Sequence, residues 1–163
     1  MQHQLTENVK ILQKVAILRH NGETPEILLL QRSVNALSRP SSWDLPGGNS
    51  EWPSAEQLSA TNLHLDDISR EITEETGLDV IQSNFPLDQL VHFSTYFDSE
   101  KQIYTIICGW VLDFSSTSQT EIVISDEHQN YAWVSIDGLS NYDFGGEKGE
   151  FVLEIARAAF LKP

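Results

Sequence analysis

The first third of the chain carries short apolar runs broken by turn residues. Between Lys10 and Arg19 the apolar positions include Val15, Ile17 and Leu18; His20-Asn21-Gly22-Glu23 follows, and then the run Ile27-Leu28-Leu29-Leu30. This pattern predicts a strand, a turn and a second strand. Ser38 to Ser42 is polar, contains Pro40 and is read as a loop. Trp43-Asp44-Leu45 predicts a short strand, stopped by the breaker Pro46-Gly47-Gly48. Residues 49–61 are rich in Ser, Glu and Gln without a period, and read as a loop.

From Asn62 the period changes. Leu65, Ile68 and Ile72 stand at i, i+3 and i+7, which is one stripe of a helix. Asn62 is expected to cap its start, Asp66 and Asp67 to suit its positive end, and Gly77 to stop it in the left-handed conformation. Two more strands are expected over Leu90–Tyr96 and Gln102–Phe114, joined across Asp98-Ser99-Glu100. A polar loop spans Ser115–Gln119, a strand Tyr131–Ile136, and Phe151, Ile155 and Ala159 mark a last helix over Glu150–Phe160. Gly145-Gly146-Glu147-Lys148-Gly149 lacks the phosphate-loop spacing and reads as the turn before that helix. Strands and helices are mixed, so the expected class is α/β with helices packed on a mixed sheet.

The chain has 163 residues, the size of one domain, and residues 1–163 are read as a single one. With 24 acidic against 10 basic residues the net charge is −14, which opposes a nucleic-acid polymer or an anionic membrane as partner. A small anionic ligand stays compatible if a cation stands between it and the protein. The single cysteine, Cys108, excludes an internal disulfide framework and suits a reducing compartment. The run 106–112 is too short to span a bilayer, and Met1-Gln2-His3-Gln4 has no signal pattern, so a cytoplasmic location is expected.

The chemistry concentrates in Arg70-Glu71-Ile72-Thr73-Glu74-Glu75-Thr76-Gly77-Leu78. On a helix Glu71, Glu74 and Glu75 share one face, at a repulsive cost of a few tenths of a kcal/mol per pair. Between Glu51 and Glu75 there are seven acidic residues and one Arg. Hard oxygen donors without a zinc-type Cys or His set favour Mg²⁺ or Mn²⁺. Taken alone, a Glu-rich helix is more often a solvated acidic face.

The flanks change that reading. With Pro46-Gly47-Gly48 before it, the segment resembles the box of the Nudix (MutT-type) hydrolases: Gly, five residues, Glu, seven residues, Arg-Glu-apolar-any-Glu-Glu-any-Gly-apolar. Residues 70–78 match every fixed position of its second half. Leu28-Leu29-Leu30-Gln31-Arg32-Ser33, Trp43 to Gly48, and Asp126-Glu127-His128 with Trp133-Val134 are similar to other family elements. The resemblance implies an α/β/α sandwich and hydrolysis of a pyrophosphate bond in a nucleoside diphosphate linked to another group. It implies Glu71, Glu74 and Glu75 as metal ligands, Gly47 as a backbone-carbonyl ligand, and Arg70 as the group that orients the carboxylates. Glu127 becomes a further ligand or a general base, and Arg32 a phosphate contact; their bland alternatives are a solvated loop residue and a surface ion pair. The implied partners are Mg²⁺ or Mn²⁺ and a small nucleotide, on a monomer or homodimer. The alternative is a non-catalytic nucleotide-binding module on the same fold.

One departure stands out. The box-like segment 47–78 has 21 residues between Gly48 and Arg70 where the family has thirteen, so the loop 49–61 is lengthened. The box glutamate would fall on Ser54 or Asn62, neither acidic. The carboxylate that pairs with Arg70 is expected to come from Glu56, with Glu51, close behind Gly48, as second choice. Trp43 and Trp133 are read as core, Tyr96 as weak evidence for a dinucleotide substrate, and the histidines are given no role.

Overall fold

A computed structural model describes residues 7–163. The expectation for Met1-Gln2-His3-Gln4 lies outside the described residues. The elements are β1 (Val9–Asn21), β2 (Thr24–Arg32), β3 (Trp43–Asp44), α1 (Leu63–Thr76), β4 (Leu90–Asp98), β5 (Ile103–Asp113), β6 (His128–Ser135) and α2 (Glu150–Leu161). The sheet runs β3-β2-β1-β5-β4, with β6 on β2. β1 and β5 are parallel; β1–β2, β2–β6, β2–β3 and β4–β5 are antiparallel. The expected mixed α/β architecture is the one observed.

The run Ile27-Leu28-Leu29-Leu30 explains the layering. In a strand, successive side chains point to opposite faces. Ile27 and Leu29 join Ala16, Ile107, Val152 and Ile155 under α2, while Leu28 and Leu30 join Val15, Ile17, Ile68 and Ile72 under α1. A strand buried on both faces has no polar alternation, which is why this one reads as a continuous apolar run. Ile68 and Ile72 anchor α1, and burying each contributes roughly 1.5–3 kcal/mol.

β1 and β2 are paired only between Leu18–Asn21 and Thr24–Ile27. Beyond that they separate, and residues 43–50 fill the gap. On one side Trp43 and Asp44 pair with Gln31 and Leu30 of β2. On the other, the Val15 N–H donates to the Pro46 carbonyl, Gln13 to Gly48, and Ser50 to Ile11. The Pro-Gly-Gly segment is therefore built into the sheet, and it delivers Gly47 and Gly48 opposite α1.

Two local expectations are corrected, at Asn62 and at Gln102, and one is refined. Asn62 precedes α1, but its side chain makes no capping bond; it takes φ 57°, a left-handed conformation that asparagine tolerates better than most residues. Residues 49–61 are a loop with one short 3₁₀ turn at Ala55–Gln57. The fifth strand begins at Ile103 because Gln102 has φ 53°. Gly77 ends α1 at φ 71°, and its N–H donates to the Thr73 carbonyl, as expected. Trp43 and Trp133 are half-buried against the two cores. Among the described residues no helix is long and apolar enough to cross a membrane.

Candidate active site

The floor of the site is Asp44, 1% exposed. Its Oδ2 meets Arg39 Nη2 at 2.6 Å, Lys14 Nζ at 3.2 Å and Arg32 Nη1 at 3.4 Å, while Oδ1 accepts the Leu45 N–H at 2.8 Å. Burial opposes the charge of this carboxylate, but Lys14, Arg39 and Arg32 outweigh it and hold it below its ordinary value. Lys14 is 4% exposed and donates to the Gly47 carbonyl at 2.7 Å and to Leu45 at 3.1 Å. None of this cluster except Arg32 was named from the sequence. The available signal was a lysine and an aspartate inside segments otherwise read as apolar strand.

Gly47 and Gly48 are glycines for different reasons. Gly47 has φ 122°, and a Cβ there would stand 2.3 Å from the Gln13 carbonyl oxygen. A Cβ on Gly48 would stand 2.4 Å from Glu71 Oε2, so this glycine makes room for a carboxylate. The Gly47 N–H donates to Glu75 Oε2 at 2.6 Å.

The three glutamates of α1 have unlike surroundings. Glu75 is 7% exposed, and burial pushes its carboxyl up to about 7 against the pull of Lys14 and the Gly47 N–H, with Glu71 and Asp44 pushing it further. Glu71 is half-buried and also raised, by burial first, with Arg70 opposing. The Glu74 side chain is 60% exposed and turns to Arg70, its Oε2 at 3.3 Å. His128 Nε2 lies 3.8 Å from Glu75 Oε1, but burial and Lys14 lower its pKa to about 4; it is neutral at pH 7 and the contact is not an ion pair.

Arg70 gathers four carboxylates. Glu71 lies at 2.9 Å and Glu74 at 3.3 Å on Nη1; Asp67 lies at 3.6 Å and Glu51 at 3.7 Å on Nη2. The order expected from the sequence is reversed: Glu51, not Glu56, stands beside Arg70. Asn49 bridges Leu12 and Ser50 bonds Ile11, so the chain leaves Gly48 extended along β1 and carries Glu51 to α1. Three extended residues reach about 10 Å, so the tether from Gly48 is long enough. Glu56 sits exposed in the 3₁₀ turn.

Lys14, Arg32, Arg39, Asp44, Gly47, Gly48, Glu71 and Glu75 open on one cleft of about 1010 Å³. Of the chain's ten Lys and Arg, six line it: Lys10, Lys14, Arg32, Arg39, Lys101 and Lys148. Nine Asp and Glu line it too, Glu71, Glu75 and Glu127 among them, whereas Glu74 and Glu56 do not. Glu127 is exposed in the turn before β6, and its backbone carbonyl accepts the Ser33 N–H at 2.9 Å. Arg32 is more than a surface ion pair: besides Asp44 it donates to the Ser38 carbonyl at 2.8 Å. Tyr96 also lies on the cleft, half-exposed.

A divalent ion finds hard oxygen donors in Glu71 and Glu75, whose mutual repulsion a cation would relieve. Among the described residues no group of three or more His, Cys, Asp or Glu is arranged to hold an ion unaided. The Gly47 carbonyl, expected as a further ligand, accepts from Lys14 at 2.7 Å, which occupies one of its two lone pairs.

A mixed sheet between helices, with a Gly-Gly turn facing a glutamate-bearing helix, defines a nucleotide-hydrolase architecture of the MutT kind. The NUDIX domain model matches residues 11–155, and the chain belongs to the Nudix hydrolase family. A nucleoside triphosphatase NudI from Salmonella paratyphi B is 32% identical over 120 residues, covering 71% of this chain and 77% of the relative. A MutT Nudix hydrolase from Burkholderia pseudomallei has a TM-score of 0.62 at 21% identity, covering 91% of this chain and 98% of its own. An Ap4A hydrolase from C. elegans has a TM-score of 0.59 at 22% identity, with 93% and 96% covered. Those two likenesses establish the fold.

Proposed function

We propose that this hydrolase cleaves a pyrophosphate bond in a small nucleotide and needs Mg²⁺ or Mn²⁺ to do so. The observation that carries the reading is the charge set of one cleft: Glu71 and Glu75 on the α1 side, seven further carboxylates, and six of the ten cationic side chains on the same space. Nine Asp and Glu side chains line the same cleft, so a polyanionic substrate enters it with a divalent cation between itself and the carboxylates. Glu71 and Glu75 would hold the ion, and Glu127 is one of the further carboxylates within the same cleft. When bound, such an ion neutralises phosphoryl oxygens and lowers the pKa of a coordinated water. Arg32, braced by Asp44 and the Ser38 carbonyl, presents a fixed guanidinium to a phosphate. Arg70 holds Glu71 and Glu74 in place from behind.

The name of the NudI relative makes nucleoside triphosphates the first substrates to try. The test is phosphate or pyrophosphate release from nucleoside triphosphates, dinucleoside polyphosphates and nucleotide sugars, with Mg²⁺, with Mn²⁺ and with excess EDTA. Turnover of at least one class, abolished by EDTA, is expected. Full turnover in EDTA would remove the metal from the reading; no turnover of any class, with nucleotide still bound, would leave a binding module.

A further inference from the structure

The Lys14 ammonium has three protons and three acceptors: the Gly47 carbonyl at 2.7 Å, the Leu45 carbonyl at 3.1 Å and Asp44 Oδ2 at 3.2 Å. We propose that Lys14 is a built-in cation of the active site, holding the Gly47 carbonyl in place of a divalent ion, so that ion binding in this chain falls to the carboxylates alone. The inference rests on the metal-dependent reading above and deepens it.

Neither partner is free to turn away. Lys14 stands opposite Gly109 in the β1–β5 ladder, in mid-strand. Its neighbours Gln13 and Val15 bond the carbonyls of Gly48 and Pro46 at 2.9 Å, which pins to β1 the peptides before and after the Gly47–Gly48 peptide. The ammonium is buried at the base of the cleft, 4% of the residue being exposed.

Balancing Asp44 does not account for Lys14. Arg39 at 2.6 Å and Arg32 at 3.4 Å already outnumber that single carboxylate. Lys14 also faces Glu75 and Glu71, and its shortest contact is to Gly47, not to Asp44. An ion placed on the same carbonyl oxygen at about 2.1 Å would stand no more than about 5 Å from the ammonium. Two cations that close repel one another, which weakens ion binding at that oxygen.

The experiment is a Mn²⁺-loaded crystal structure with anomalous scattering, beside a Mn²⁺ titration followed by electron paramagnetic resonance on the wild type, Lys14→Met and Lys14→Gln. Wild type should bind Mn²⁺ at Glu71 and Glu75 while Gly47 stays on the Lys14 ammonium. Each folded variant should take up one more Mn²⁺ ion per chain. Mn²⁺ on the Gly47 carbonyl in the wild type, or no gain in the folded variants, overturns the proposal and leaves the metal-dependent reading standing. If neither variant folds, the wild-type crystal decides alone. A wild type that takes up no Mn²⁺ brings down the metal-dependent reading first, and this inference with it.

Discussion

The Gly47 N–H donates to Glu75 Oε2 at 2.6 Å, joining the middle of the Gly-Gly turn to the last glutamate of α1. The two residues are 28 apart in sequence, and neither has much solvent around it. The bond explains why Glu75, alone of the three helix glutamates, is buried.

Glu75→Gln should lower turnover by about 10²-fold or more, the scale of losing a major electrostatic contribution. In EDTA the same variant should be more stable than the wild type, and the gain should depend on pH. Glu75 titrates near 4.5 when unfolded and near 7 in the fold, so the folded state holds its proton more tightly. Wild-type stability therefore falls as pH rises from 4.5 to 7, by up to about 3 kcal/mol from this group. The variant's advantage should grow across that window and level off above it. Thermal melts at pH 5, 6 and 7.5 in EDTA check the slope; a gain that shrinks with rising pH would be the wrong sign.

Glu51→Gln should reduce turnover by about 10-fold, because it removes a carboxylate from the group that holds Arg70. Glu56→Gln should change little. Steady-state kinetics on both variants decide, and a larger effect from Glu56 would contradict the geometry around Arg70.

The two glycines should separate stability from activity. Gly47→Ala puts a methyl against the Gln13 backbone at φ 122°, where neither can yield, and should lower the melting temperature. Gly48→Ala meets only the far end of the Glu71 side chain, so the fold should persist while turnover falls. Melting curves and kcat for each variant test the contrast.

Asp44→Asn should be the most destabilising of these changes, by roughly 3–5 kcal/mol, since it leaves the buried Lys14 and Arg39 and the half-buried Arg32 without this counter-charge. Denaturant unfolding measures it. A cost below about 1 kcal/mol would mean that Asp44 does not organise the cluster.

The sheet, the two helices and the glutamate face were legible because each is a local pattern. Ile27–Leu30 and the Leu65, Ile68, Ile72 stripe announce their elements within a few residues. Glu71, Glu74 and Glu75 share a helix face by spacing alone, but their division into one buried, one intermediate and one outward carboxylate depends on what lies opposite. Lys14, Arg39 and Asp44 could not be grouped from the sequence, since they meet only because β1 parts from β2 and residues 43–50 enter the gap. The ranking of Glu56 over Glu51 failed for a related reason. It treated the residues after Gly48 as a slack tether, whereas Asn49 and Ser50 continue along β1.

The lengthened loop is held at both ends. Ser50 is bonded to Ile11 at its entry, and the Asn62 carbonyl accepts the Leu65 N–H where α1 begins. Between these anchors Trp52 and Leu58 stand in solvent, 96% and 74% exposed. Extra length in such a stretch costs little closure entropy, about 0.6 kcal/mol per doubling. The stretch after Glu56 is thus a natural port for grafting: a reporter or a whole foreign domain spliced there would hang from the molecule without pulling on the turn that carries Gly47.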